Sequence, residues 1–373
     1  VNPFFALPQL GAALGAVAIY WALPRPWRVP YLGLASAAVL AWLDPAALVA
    51  LGALTLLVSR TGSGLLWPLA GLAALFLGVR ADPLLGLGLA VPLGFGFWVP
   101  RLAHVLVERQ RDTLPAHELW DLWAYVAFLP TLRVGPIHRF DAFLRDHARQ
   151  RWDVAVLARG AQRVLEGYAK LVVLAGWLVA DLAHGQVLAL SAAGRDGGVV
   201  LLECALYGGN LYFAFAGYSD IAIGFALMLG FRIRENFDHP FLRPNLQRFW
   251  ESWHRSLSTW CRDYVFTPVL ASTRRRAPAL VLAMLVLAGW HELSLRYLCW
   301  GCWHAAGLVV HMVWRRRVAP RLGGPSGPLG RVAVRCLSTG LTVAFVLVGF
   351  VFTKNTGWAG IQADWGLLLG GAP

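Results

Sequence analysis

The stretch RRRAPALVLAMLVLAGWHELSLRYLCWGCWHAAGLVVHMVWRRR (Arg274–Arg317) sets two arginine triplets at the ends of a long apolar run, with one polar interruption at His291–Arg296. A bilayer crossing takes about 20 apolar residues. The length between the triplets therefore suits a hairpin of two helices bent near HELSLR. The tendency of basic residues to stay inside places both triplets on the cytoplasmic face. A helix from Arg276 to His291 rises roughly 20 Å, which carries His291 deep into the membrane.

Outward from this hairpin, the rest of the chain has the same character. Of 373 residues, 58% are hydrophobic and only 14% charged, a balance that belongs to membrane proteins and not to two or three soluble domains. The net charge of +13 is carried almost wholly by arginine, with lysine only at Lys170 and Lys354. These residues sit in short clusters between apolar runs, which flanking of spans explains and a nucleic-acid face does not. All five cysteines lie in or beside apolar segments, so they are read as small buried hydrophobes and not as a disulfide framework. The opening residues show no positive n-region and no small-residue cleavage site, so Phe4–Pro24 is expected to be a retained span.

Further spans are expected at Ser63–Val79 and Pro83–Pro100, with Tyr31–Val58 interrupted by Asp44 and Pro45. Arg101–Glu118 and Phe140–Asp153 mix charged and apolar residues, as interfacial amphipathic segments do. Leu119–Leu132 lies between them. Leu171–Ala180 is the apolar centre of another helix, and glycines 208, 209, 217 and 224 within Val199–Phe231 permit close helix approach. A basic Gly/Pro loop over Arg315–Arg335 precedes Cys336–Phe352. The fold expected is one all-α, polytopic bundle over residues 1–373, with N-terminal spans in 1–100, a core in 119–314 and a C-terminal span and tail in 336–373.

An ionisable residue inside a membrane domain is costly unless it faces a cavity or a partner. His291 is thus either a functional group or a structural histidine donating to a helix carbonyl, and periodicity does not choose. In Phe249–Tyr264 the apolar residues recur at helical spacing, which predicts an amphipathic helix with His254 on its apolar side. The pattern by itself makes His254 a packed core histidine, and Arg262 and Asp263 a surface pair. Cys299, Cys302 and His304 offer three ligands on one apolar helix and are not read as a metal site. Asp220 and Glu203 are intramembrane acids that a proton-coupled transporter would use. Phosphate-loop, dinucleotide and nucleophile-elbow motifs are missing from the sequence.

Four islands, in order, resemble the membrane-bound O-acyltransferase family, in its bacterial branch of alginate O-acetylases and teichoic acid D-alanyl transfer proteins. They are FLPTLRVGPIHRF (Phe128–Phe140), FAGYSDIAIGFALMLGFRIRENFDHPF (Phe215–Phe241), FWESWHRSLSTWCRDYVFTP (Phe249–Pro268) and GWHELSLRYLCWGCWHA (Gly289–Ala305), with VGFVFTKN (Val348–Asn355) a weaker echo. Glu292 stands where the family has a glycine, and Ser272–Arg276 replaces an expected Gly-Gly-Asn-Arg. The resemblance implies catalytic roles for His291 and His254. Trp250, Trp253, Ser256, Arg262, Asp263, Trp290, Asn236 and Tyr218 are expected to bind the substrates or the donor, and no metal is expected.

The activity implied is transfer of a short acyl group, acetyl before others, in a tunnel among re-entrant and interfacial helices. The donor would be a cytoplasmic thioester, acetyl-CoA or an acyl-carrier thioester, with no permanently bound cofactor. The acceptor would be a hydroxyl of an extracytoplasmic polysaccharide or of a relay acyltransferase partner, at the bacterial inner membrane. D-alanyl transfer to a cell-wall polymer is the alternative within the family. A transporter using Asp220, Glu203 and His291, and a scaffold indifferent to both histidines, are the alternatives outside it.

Overall fold

The computed structural model describes residues 7–61, 64, 66–82, 86, 88, 90–322 and 327–371. Every regular element among them is helical. Val154–Ala193, Gly197–Met228 and Gly327–Lys354 are long and apolar enough to cross a membrane, and Leu10–Ala22, Pro45–Arg60, Trp67–Arg80 and Arg276–His291 are shorter apolar helices. Large apolar side chains such as Trp67, Trp177, Leu165 and Leu337 stand outward on these helices, an arrangement suited to lipid and not to water. The chain is an all-α polytopic membrane protein. The starts expected at Phe4, Ser63 and Pro83 lie outside the described residues.

The chain packs as two compact units. The first takes in the described residues of 1–76, 90–167 and 218–234. Asp44 separates the helices Arg25–Leu43 and Pro45–Arg60, as the Asp-Pro pair requires. Its carboxylate accepts from Ala47 N at 2.9 Å and from Leu93 N at 2.8 Å, which ties a helix start to a distant loop. Val154–Ala193 and Gly197–Met228 cross at Gly160 and Gly224, where a Cβ on Gly224 would come within 2.6 Å of the Gly160 carbonyl. Gly209 has open space around it and supports no such contact. Asp220 is buried against Arg163, 2.7 Å away.

Two expectations fail in this unit. Pro83–Pro100 does not form one span: the helix starts only at Phe95, after Gly94 in the left-handed region. Arg101–Glu118 is not one exposed amphipathic segment either: its first part continues the helix Phe95–Gln110, and the rest is not helical. Arg101 is fully buried within Phe95–Gln110, donating to Val126 O at 3.1 Å, to Thr131 Oγ1 at 2.7 Å and to Thr131 O. His104 Nε2 accepts from Phe140 N at 2.9 Å, and Tyr125 OH donates to His138 O at 2.8 Å. These groups organise the stretch from Ala127 to Arg139, in which the single short helical turn Leu129–Thr131 satisfies few of the backbone groups.

The second unit takes in the described residues of 77–89, 168–217 and 235–373. Its centre is the hairpin Arg276–His291 and Leu295–Val313, bent at Glu292–Ser294 as the polar interruption predicted. Gly301 allows the close pairing: a Cβ there would meet Ala288 Cβ at 2.8 Å and Met284 O at 3.2 Å. Gly327–Gly349 packs Phe345 on Trp303, with stacked rings 4.6 Å apart, and Trp303 Nε1 donates to Phe345 O at 3.1 Å. This helix takes up Arg331 and Arg335, which the sequence places in a loop.

Arg195 and Lys354 each bridge Glu203 and Asp364, at 2.6 and 2.5 Å for the arginine and 2.7 and 2.6 Å for the lysine. Two cations and two carboxylates form a neutral cluster, the arrangement a low-dielectric setting demands of buried charge.

Candidate functional site

The predicted helix over Phe249–Tyr264 is broken, and the break builds the site. Leu246–Trp250 ends, and Arg255–Cys261 begins only after His254, which adopts φ 42° and ψ 52° in the left-handed region. Distant partners force this. The Asn236 carbonyl accepts from Arg255 N at 2.8 Å, the Asn236 side chain accepts from Ser256 N at 3.3 Å, and Asp238 N donates to Ser252 O at 3.0 Å. Periodicity cannot reveal such a break, because apolar spacing continues through it. His254 O accepts from Ser258 N at 2.9 Å, which starts the second helix.

The His254 ring is buried between Phe215 and Trp290, with centroids 4.6 and 5.4 Å away, and its Nε2 has no hydrogen-bond partner. Burial, followed by the nearby His291, holds this imidazole well below the ordinary histidine range. It is neutral at neutral pH.

His291 ends its helix, and Arg80 Nη1 donates to its carbonyl at 3.1 Å. The ring lies 4.8 Å from Trp290, 5.7 Å from Trp300 and 5.6 Å from Tyr297, on which it stacks. It is half-buried, and its ring nitrogens bond none of the described residues. A structural histidine donating to a helix carbonyl is therefore not what the fold contains. Glu292, in place of the glycine, is bound by Arg296 at 3.1 Å, and Arg296 also donates to Asn355 O at 2.9 Å.

A cavity of 460 Å³ opens beside the hairpin's arginine-bearing end. Arg255, Arg262, Arg276, Arg315 and Arg316 line it, against a single acid, Glu251, which Arg248 pairs at 2.9 Å. Two π-helical turns, Arg262–Phe266 and Trp314–Val318, present three of these arginines, and such turns recur at functional sites. At its inner end the cavity reaches Trp250 and Leu287. Leu287 precedes His291 by one helical turn.

Of the residues singled out in the sequence, His254, Trp290 and His291 form a continuous series of rings. Trp250 joins the series through Trp300, at 5.8 Å. Ser256 lies two residues after His254 with a buried hydroxyl that has no partner among the described residues. Trp253 packs instead in a cluster with Phe237, Phe241 and Phe249. Arg262 lines the cavity while pairing Asp263 at 2.9 Å. Asn236 is buried and acts on the backbone at His254. Tyr218 belongs to the first unit. Sequence reasoning missed Tyr297, Trp300 and His304 as site neighbours. Their i, i+3, i+7 spacing on the second arm of the hairpin places them on one face, and that was the available signal.

Residues 105–347 match the membrane-bound O-acyltransferase family. The chain is 33% identical to the probable alginate O-acetylase of Pseudomonas aeruginosa, over 71% of this chain and 49% of that protein. It is 30% identical to the teichoic acid D-alanyltransferase of Streptococcus thermophilus, over 60% of this chain and 58% of that one. Identity to the peptidoglycan O-acetyltransferase of Helicobacter pylori is 28%, over 57% and 41%. The chain spans about half the length of the curated relatives it matches. On the ordered islands, the helical hairpin and this match, the chain belongs to the membrane-bound O-acyltransferase family.

Proposed function

We propose that the protein transfers a short acyl group, most readily acetyl, from a cytoplasmic thioester to a hydroxyl on the opposite side of the bacterial inner membrane. The observation that carries this reading is the arginine-lined cavity ending one helical turn from His291. Five guanidiniums facing one paired carboxylate suit a donor with phosphate groups, such as acetyl-CoA or the phosphopantetheine of an acyl carrier. His291 is half-buried at the far end of its helix from Arg276, where a hydroxyl can approach without entering that cavity.

In the reaction, neutral His291 takes the proton of the acceptor hydroxyl as its oxygen attacks the thioester carbonyl carbon. The tetrahedral intermediate collapses, the carbon–sulfur bond breaks, and the imidazolium returns the proton to the leaving thiolate. An ester and a free thiol result. His254 hydrogen-bonds developing charge on the donor side, a role supported by its Nε2, which has no partner among the described residues. The surrounding rings exclude water that would hydrolyse the thioester. The acceptor class follows the relatives, whose names point to alginate, teichoic acid and peptidoglycan. An extracytoplasmic acyltransferase that relays the group fits the same geometry. Glu203 and Asp220, the acids a transporter would use, are each neutralised by cations within their own unit.

The test is to supply membranes containing the protein with acetyl-CoA labelled in the acetyl group. Labelled ester on an exported polymer or on a relay protein supports the reading. Label that moves only from a D-alanyl carrier thioester would assign the other branch. No thioester turnover with any donor would sink both.

A further inference from the structure

Trp250, Trp300 and His304 form a triangle of touching rings between the cavity and His291. Trp250 lies 5.2 Å from His304 and 5.8 Å from Trp300, and Trp300 lies 4.9 Å from His304 and 5.7 Å from His291. All three are more than nine-tenths buried, at 8%, 6% and 1% exposure. Each nevertheless carries a buried polar atom without a partner among the described residues: Trp250 Nε1, Trp300 Nε1 and His304 Nδ1.

Buried indole N–H groups normally find an acceptor, and four other indoles in this chain, among them the fully buried Trp98, do. Trp21, Trp98, Trp123 and Trp303 all donate to backbone carbonyls, at 2.8, 3.1, 3.0 and 3.1 Å. Two orphaned indoles and one orphaned imidazole nitrogen on three adjoining rings amount to several kcal/mol left uncompensated, at about 1–3 kcal/mol for each group. A fold retains such a cluster where a ligand supplies the missing partners.

We infer that Trp250, Trp300 and His304 grip the amide groups of a pantetheine arm, and so position the thioester it carries at His291. This rests on the thioester reading above. The order of neighbouring groups, from the cavity arginines through Trp250 to Trp300 and His304 and then His291, matches such an arm. Phosphates would meet the arginines at the cavity mouth, the amide carbonyls would accept from the two indole N–H groups, an amide N–H would donate to His304 Nδ1, and the thioester carbon would lie at His291. Trp250 belongs to both environments, since it lines the cavity and touches the inner triangle. The three are positioning residues, because the proton transfers belong to His291.

The experiment measures donor turnover in membranes with two acetyl thioesters: acetyl-CoA, and the acetyl thioester of 2-mercaptoethanol, which has no amides. Trp250→Phe and Trp300→Phe keep the rings and remove only the N–H donors. Each is expected to raise KM for acetyl-CoA about tenfold with kcat within about twofold, as expected for leaving one buried carbonyl unsatisfied. With the amide-free donor, each should match the wild type. Trp303→Phe, whose indole bonds Phe345 O, controls for packing and should leave KM for acetyl-CoA unchanged. Equal KM for acetyl-CoA in wild type and both ring-preserving variants, at equal protein levels, would overturn the assignment and leave acyl transfer standing. Wild-type protein that turns over neither donor would overturn acetyl transfer itself.

Discussion

The backbone carbonyl of Asn236 accepts the N–H of Arg255 at 2.8 Å, and this bond holds the residue before Arg255, His254, in the left-handed region. The imidazole's aim thus depends on a side chain and carbonyl far back in the sequence. Asn236 Oδ1 adds a second bond, to Ser256 N. Asn236→Ala removes that side-chain acceptor, and is expected to cost about 1–2 kcal/mol of stability and to lower kcat more than it changes donor KM. Asn236→Asp keeps an acceptor oxygen and should restore most of the rate. Paired kinetic and thermal measurements on the two variants check this, and equal losses in both would count against it.

Arg101 is buried with no carboxylate partner among the described residues and holds Val126 and Thr131 through its planar fork. Lysine has neither the fork nor the reach to three acceptors. Arg101→Lys and Arg101→Met should each lower the amount of folded protein in membranes, by about 3 kcal/mol or more of stability. Wild-type accumulation of either variant would show that the Ala127–Arg139 stretch is held by other means.

How far the sequence reveals this molecule depends on the range of each determinant. The hairpin between the arginine triplets and the break at Asp44–Pro45 are local, set by apolar length, charge and proline, and they read directly. The late start of the helix at Phe95 follows Gly94 and a glycine-rich approach, a weaker local signal. The turn at His254 is different, because Asn236 and Asp238 set it from outside the segment while the apolar spacing of Phe249–Tyr264 suggests continuity. Arg101 misleads for a related reason: an arginine beside charged residues suggests an interface, and only the tertiary carbonyls of Val126 and Thr131 make its burial possible. Of the site, His254 and His291 were visible through family islands, whereas Trp300 and His304 emerge from the pairing of the hairpin's arms.

If the arginine-lined cavity takes the phosphates of the donor, attraction there should weaken with salt. The double variant Arg315→Ala, Arg316→Ala is expected to raise KM for acetyl-CoA about tenfold, with little change for an uncharged thioester. Raising ionic strength should increase KM for acetyl-CoA in wild type more than in the variant. A salt response that is the same in both would separate these arginines from donor binding.

The buried neutral His254 also makes stability depend on pH. In the unfolded chain its imidazole titrates near 6.5, and in the fold burial holds it well lower. Below about pH 6.5 the unfolded state therefore binds a proton that the native state does not, so stability falls as pH drops toward the folded value. His254→Gln should flatten the fall of the thermal midpoint between pH 7 and pH 5, by up to about 1.4 kcal/mol per pH unit. An unchanged slope would show that His254 protonates without cost in the fold.

The central claim is that the imidazole of His291 takes the acceptor's proton. It is tested most directly by His291→Ala in membranes, following labelled acyl groups from thioester to acceptor at matched protein levels. The expected result is a loss of at least about 100-fold in transfer with donor KM little changed. Transfer at the wild-type rate would contradict the claim.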